Sequence, residues 1–267
     1  MPFVPGSRAE FSNYSRDGSQ IAYSTMDGIL WRMDADEGSR SALTAPPIHV
    51  THPAWSPDAK QIAFVNHSPS CKNKVYVVSA EGGNSRELFP KDCEQFDPAW
   101  SPDGRFLGFA HAKSLPTGGF ASSTIDLLDL ATNQVSTLVG SQGMRAPSWS
   151  PDGRFITAMT ENYGKLMLFD VRSEKWVELS QGISIAGFLR WSPDGAFLYF
   201  QDLLASNEAV YRIRMSDRKQ EEVANFETLI RSGVPRCAFI DLAPDGSLVV
   251  ALLRNQADIY ALDLAFP

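Results

Sequence analysis

The sequence predicts an all-β fold, a six-bladed propeller of four-stranded antiparallel blades. The first observation is a phrase written six times, with its aspartates at Asp17, Asp58, Asp103, Asp152, Asp194 and Asp245, spaced by 41, 45, 49, 42 and 51 residues. A period of that length is one supersecondary unit, too long for a hairpin and too short for a domain. The second is that short apolar segments separated by polar turns follow each copy, the signature of repeated β-sheets. The third is a mismatch at the ends, where the last unit stops one strand early and the chain begins with an apolar segment that has no partner in its own unit.

The phrase is clearest as Ala99-Trp100-Ser101-Pro102-Asp103-Gly104 and recurs around Trp55, Trp149 and Trp191, with weaker copies at Tyr14 and Leu242. Its chemistry is that of a turn. Pro pre-sets its own φ, Ser and Asp bond to nearby backbone, and Gly accepts a positive φ. An aromatic or large apolar residue precedes it and anchors one strand of a hairpin. Departures are few: Arg16 stands where the other copies have Pro, Ala59 where they have Gly, and Ala243 where they have Ser. Six equivalent aspartates serve what is repeated, the turn, and are not read as catalytic.

The strands follow in order. Unit one gives 20–24, 29–34 and 40–43; unit two 61–65, 74–78 and 85–89; unit three 105–110, 124–130 and 134–139. Unit four gives 154–159, 165–171 and 175–179; unit five 196–201, 209–215 and 221–224; unit six only 247–252 and 258–264. With the strand that ends in the phrase, each complete unit is a four-stranded sheet. Residues near Phe3 are expected to supply the missing outer strand of unit six and so close the ring, since closure removes exposed strand edges. One domain spanning 1–267 is the expected organisation. No stretch reads as a long helix.

Composition narrows the partners. With 43% hydrophobic and 21% charged residues, the chain can bury a sizeable core. A net charge of −7 and the lack of a basic run disfavour nucleic acid and anionic membrane surfaces. The longest apolar run, 248–253, is far short of a membrane span. Met1 to Gly6 carries no apolar h-region, so no secretion signal is expected in these residues.

The Trp-Ser-Pro-Asp-Gly phrase, followed by an apolar strand and by segments such as Lys74-Val75-Tyr76-Val77-Val78-Ser79-Ala80-Glu81-Gly82-Gly83, resembles the WD-repeat-like propeller repeat of the TolB type. Similar repeats occur in the propellers of the dipeptidyl peptidase and prolyl oligopeptidase families. The segments 211–217 and 258–263 are similar to the C-terminal sensor-like propellers of bacterial winged-helix regulators and receptor-type Ser/Thr kinases. The resemblance covers essentially the whole chain and implies a bacterial, extracytoplasmic (periplasmic) module. It implies a non-enzymatic interaction or ligand-sensing role as part of a larger multidomain protein, with a protein or small ligand as partner. It specifies fold far better than function.

The alternative is a channel-based hydrolase or lyase, which would need a metal or an acid/base set at the channel mouth. A serine hydrolase elbow is not present, because Gly182-Ile183-Ser184-Ile185-Ala186 lacks the final Gly. No cofactor is expected, although a divalent cation in the channel is compatible with the alternative. Zinc held by His67, Cys71, Cys93 and His111 fits by ligand type but matches no compact spacing. A disulfide between Cys71 and Cys93 competes with it and would imply an oxidising compartment. Cys237 reads as a buried thiol.

The innermost strands line the channel, so residues at matched places in the repeat can be compared. Around six positions before each repeated Asp, His52, Asp97 and Arg145 make a polar set, opposite an aromatic half with Phe188 and Phe239. These five are the candidate ligand-binding residues on the loop-rich face. Arg190 and Asp241, matched in adjacent units, are candidates to pair with each other. The long connections 111–123 and 225–236 are candidate lids or partner contacts.

Overall fold

The computed structural model describes residues 9–36, 38–68, 71–89, 93–112, 122–181, 186–202, 208–233, 236–253 and 257–262. Each phrase ends an innermost strand, and the chain then steps outward. The first blade comprises β1 (Ala9–Tyr14), β2 (Gln20–Thr25), β3 (Leu30–Asp34) and β4 (Arg40–Ala42). The second has β5 (Val50–Trp55), β6 (Gln61–Asn66), β7 (Lys74–Ser79) and β8 (Arg86–Glu87). The third has β9 (Gln95–Trp100), β10 (Phe106–His111), β11 (Thr124–Asp129) and β12 (Gln134–Thr137). The fourth has β13 (Met144–Trp149), β14 (Phe155–Thr160), β15 (Lys165–Asp170) and β16 (Lys175–Gln181). The fifth has β17 (Ala186–Trp191), β18 (Phe197–Asp202), β19 (Val210–Arg214) and β20 (Gln220–Ala224). A short helix, α1 (Glu227–Arg231), leads to a last sheet of β21 (Arg236–Leu242), β22 (Leu248–Leu253) and β23 (Ala257–Leu262).

Among the described residues there are thus five four-stranded antiparallel blades and one three-stranded sheet, which corrects the expectation of six four-stranded blades. The last sheet has three strands because β23 is the last strand among the described residues. The outer strand expected from near Phe3 falls on residues outside those described. The innermost strands nevertheless form a ring, because β1 packs against both β5 and β21.

Apolar burial lies between sheets rather than within them. Phe64 and Ile62 of blade two pack with Ala22 and Leu30 of blade one, and Phe109 and Leu107 of blade three pack with Val75 and Val77 of blade two. The seam joins Ile21 and Tyr23 of blade one to Ile240 and Val249 of the three-stranded sheet. Each such side chain, fully buried, contributes about 1.5–3 kcal/mol. The middle strands are therefore apolar on both faces: β6, β10, β14 and β18 each carry four or more consecutive buried residues.

The repeated phrase forms the turn as expected, and it also joins blades. Ser15, Ser56, Ser101, Ser150 and Ser192 each donate from Oγ to the following Asp Oδ1 at 2.5–2.7 Å. Each of those Oγ atoms in turn accepts the first backbone N–H of the next strand at 2.8–2.9 Å. Trp55, Trp100 and Trp191 donate from Nε1 to the carbonyl oxygens of Asn13, Ala54 and Ser148 in the preceding blade. Trp therefore ties neighbouring blades rather than anchoring one hairpin alone.

Candidate functional site

The innermost strands surround a channel of about 610 Å³ that runs from the loop-rich face to the Ser-Pro-Asp-Gly turns. Side chains reach its axis because β5, β9, β13 and β17 each carry a bulge. Two residues, His52-Pro53, Asp97-Pro98, Ala146-Pro147 and Phe188-Leu189, oppose a single residue of the partner strand. The first of each pair holds a positive φ: 50° at His52, 53° at Asp97, 51° at Ala146 and 48° at Phe188. Such a backbone costs about 1–3 kcal/mol in a residue other than Gly and tends to mark a functional site. Proline fits the second place because a bulge leaves an N–H without a ladder partner.

The bulges bring His52, Asp97, Arg145 and Phe188 to one end of the channel, as the repeat comparison expects. Phe239 is corrected: it is fully buried between blade five and the three-stranded sheet, with its N–H donating to Gln201 Oε1 at 2.7 Å. The reason is register. In β21 the extra residue is Ile240, one place later, so Phe239 stays in the regular ladder opposite Val250. Phe11 takes the aromatic place instead, its ring centroid 4.2 Å from that of His52 and 6.1 Å from that of Phe188. Tyr163 also joins the site from the β14–β15 turn, accepting a hydrogen bond at its hydroxyl from Arg145. The signal for Tyr163 was the turn Asn162-Tyr163-Gly164 on the loop-rich face, and for Phe11 its place in the repeat.

The polar groups face one another without closing. His52 Nε2 lies 3.7 Å from Asp97 Oδ1, and Arg145 Nη2 lies 3.7 Å from Asp97 Oδ2. Both separations exceed a hydrogen bond. Asp97 Oδ2 is shut off from solvent and has no hydrogen-bond partner among the described residues. The Asp97 side chain keeps 17% exposure, so Oδ1 is the oxygen left toward the channel. Surrounding protein pushes the His52 pKa below 6.5 by desolvation, against the opposing pull of Asp97, so the ring is neutral at pH 7. It still presents 40% of its side chain to the channel.

A second network closes the ring nearby. Arg190 Nε donates to Asp241 Oδ1 at 3.0 Å, as the matched positions suggested. Asp241 Oδ2 accepts from Asn13 Nδ2 and Tyr14 N, and Asn13 Oδ1 accepts from Trp55 N. One carboxylate thus links blade five, the three-stranded sheet and blade one. Burial pushes the Asp241 pKa up, opposed by Arg190. These groups are spent on structure.

Of the two readings of Cys71 and Cys93, the disulfide is the one the structure contains. Cys71 and Cys93 are joined as a disulfide, with Cα atoms 5.6 Å apart, which removes both thiolates. His67 is engaged by Thr51 Oγ1 and Lys72 O, and His111 Nδ1 lies 3.0 Å from Asp126 Oδ2. No group of three His, Cys, Asp or Glu side chains converges on a common point among the described residues. Cys237 is buried, and burial with the Glu208 charge raises its pKa to about 11. Most of the 111–123 connection lies outside the described residues, and 225–236 contains α1.

At the turn end, four of the five prolines of the phrase rest near the glycine of the following copy. A Cβ placed on Gly18, Gly104, Gly153 or Gly195 would meet Pro244, Pro57, Pro102 or Pro151. The one copy without Pro carries Arg16, and the next copy carries Ala59 instead of Gly. Freed from that contact, Arg16 reaches across the mouth and donates to Pro102 O at 3.0 Å.

No protein-family model matches the chain. The chain is similar to a putative TolB from Agrobacterium tumefaciens, with a TM-score of 0.72 at 18% identity, covering 97% of this chain and 91% of that one. It is also similar to an oligogalacturonate lyase solved in complex with manganese, with a TM-score of 0.64 at 15% identity, covering 92% and 70%. In sequence, a stretch of 84 residues is 28% identical to the uncharacterized peptidase YuxL of Bacillus subtilis (strain 168), spanning 28% of this chain and 13% of that protein. These likenesses support the TolB-type propeller fold. A TolB and a lyase stand among the similar structures of that fold.

Proposed function

We propose that this chain is a non-enzymatic binding module that takes a small ligand, or a segment of a partner protein, at the loop-rich end of its axial channel. The carrying observation is the unmade set: Asp97 stands between His52 and Arg145 at 3.7 Å from each, held there by left-handed bulges. A purely structural cluster would close these pairs, as Arg190 and Asp241 do at 3.0 Å. Phe11 and Phe188 supply the apolar wall of a ligand pocket. We further propose that the three-stranded sheet is a sixth blade completed by an N-terminal strand near Phe3, and that 1–267 is one domain. The Cys71–Cys93 disulfide supports an oxidising, extracytoplasmic setting.

The hydrolase or lyase reading is favoured by one point, the manganese-bound lyase among the similar structures. The described residues offer His52 and Asp97 as its acid/base pair in the channel, the other carboxylate of the lining, Asp241, being bound to Arg190. The test is a thermal-shift screen of sugars, peptides and small anions on the wild type and Asp97→Ala. The proposal expects at least one ligand that stabilises the wild type and not the variant. Hits that stabilise both equally would contradict it.

A further inference from the structure

Building on the channel-binding reading, we infer that the ligand is an uncharged polyhydroxylated molecule, a neutral sugar. One of its hydroxyls would sit between Asp97 Oδ1 and His52 Nε2 while its ring lies against Phe11 and Phe188. Three features of the site select that chemistry.

The first is charge. At this end of the channel Asp97 faces Arg145, and Arg190 is paired with Asp241. The surrounding walls keep His52 neutral at pH 7. A ligand with a net charge would leave that charge, or a protein charge, uncompensated in a confined space, which is costly. A neutral ligand leaves the balance intact.

The second is geometry. The two atoms that face each other across the accessible gap are an acceptor and a ring nitrogen, 3.7 Å apart. In the Nε2–H tautomer, which points the ring proton at the carboxylate, a single oxygen about 2.8 Å from both accepts from the ring and donates to Asp97 Oδ1. A hydroxyl does this. A secondary peptide group cannot, because its N–H and C=O point in opposite directions from different atoms.

The third is the wall. Phe11 is tilted by 36° to the His52 ring and by 55° to Phe188, and neither phenyl offers a hydrogen bond. The pocket therefore pairs a polar edge with an apolar face, which matches a sugar ring with hydroxyls on its edge and C–H groups on its face. Arg145, held by Tyr163, stands 3.7 Å away on the far side of Asp97 and balances the carboxylate's charge.

The experiment is saturation-transfer NMR on the wild type with methyl glycosides of glucose, galactose, mannose and N-acetylglucosamine. Each is used at ~10 mM, where even a Kd near 1 mM is nearly saturated. A blocked tetra-alanine peptide is the second probe. The inference expects at least one glycoside to bind, insensitively to salt, and to weaken about tenfold or more in Asp97→Ala and in Phe188→Ala, each confirmed folded by its melting curve. Glycoside binding that survives both substitutions overturns it. Should the peptide alone bind, and depend on Asp97, the sugar assignment falls while the channel reading stands. If neither probe binds, the sugar assignment falls, and the channel reading is left to the wider screen of sugars, peptides and anions.

Discussion

At the scale of single residues, Asp97 and His52 are best understood by what their neighbours in the repeat do not need. The same place in the fourth blade is Ala146, with φ 51°, so the fold accepts a methyl group there. The polar versions are departures from structural sufficiency. His52 carries a pH consequence. Its folded pKa is depressed by desolvation, so the unfolded chain takes up the proton first. Stability from the neutral ring is therefore complete above about pH 6.5 and declines as pH falls through the lower folded value. Chemical denaturation of the wild type and His52→Phe at pH 7.5 and at about pH 5.5 should show a smaller loss in the variant; equal losses would contradict a desolvated neutral imidazole. The repeated aspartates act in the same direction at lower pH. Their Ser hydroxyls hold five of them, Asp17, Asp58, Asp103, Asp152 and Asp194, below the usual carboxylate range, so that contribution is lost only in strong acid.

At the scale of elements, the blades are fastened by pairs the sequence displays one member at a time. Proline in one turn and glycine in the next form a contact only when the ring brings successive turns together. A Cβ on Gly18 would stand 2.0 Å from Pro244 Cγ, whereas one on Gly246 would meet nothing within 4 Å. Both glycines have positive φ, 73° and 87°, so the backbone penalty for alanine is similar. Gly18→Ala should accordingly cost about 1–3 kcal/mol more than Gly246→Ala by overpacking, read from denaturant midpoints. Equal costs would show that the seam can relax. Reading Arg16 and Ala59 as separate departures from the phrase missed that they are the two halves of one absent contact. The strand bulges were hidden for a similar reason. His52-Pro53, Asp97-Pro98 and Ala146-Pro147 mark them by proline, but nothing local distinguishes Phe188-Leu189 from Phe239-Ile240, where the extra residue shifts by one.

At the scale of the whole molecule, the repeat made the sheet order and most strand positions legible, because a period fixes topology without any knowledge of packing. The polar half of the site was legible too, since matched places in a ring converge on its axis. What could not be read was which aromatic faces Phe188, Phe11 rather than Phe239, because that depends on ladder register. The cysteines follow the fold as well: loops of blade two place Cys71 and Cys93 together, while Cys237 is sealed under Glu208. A thiol titration should find no reactive thiol in the native protein and one after unfolding without reductant. Three after unfolding would deny the disulfide.

The central claim is that Asp97 is kept for a ligand rather than for the fold. Its most direct test needs no ligand: the melting temperature of Asp97→Ala in the free protein. The account predicts a value equal to or above that of the wild type: the variant removes a buried oxygen without a partner, installs the residue that blade four already holds at that bulge, and leaves an Arg145 that is 32% exposed and bound to Tyr163, so water and that hydroxyl carry its charge. A fall of several degrees, on the order of 1–2 kcal/mol, would mean that Asp97 supports the ring and would contradict the account.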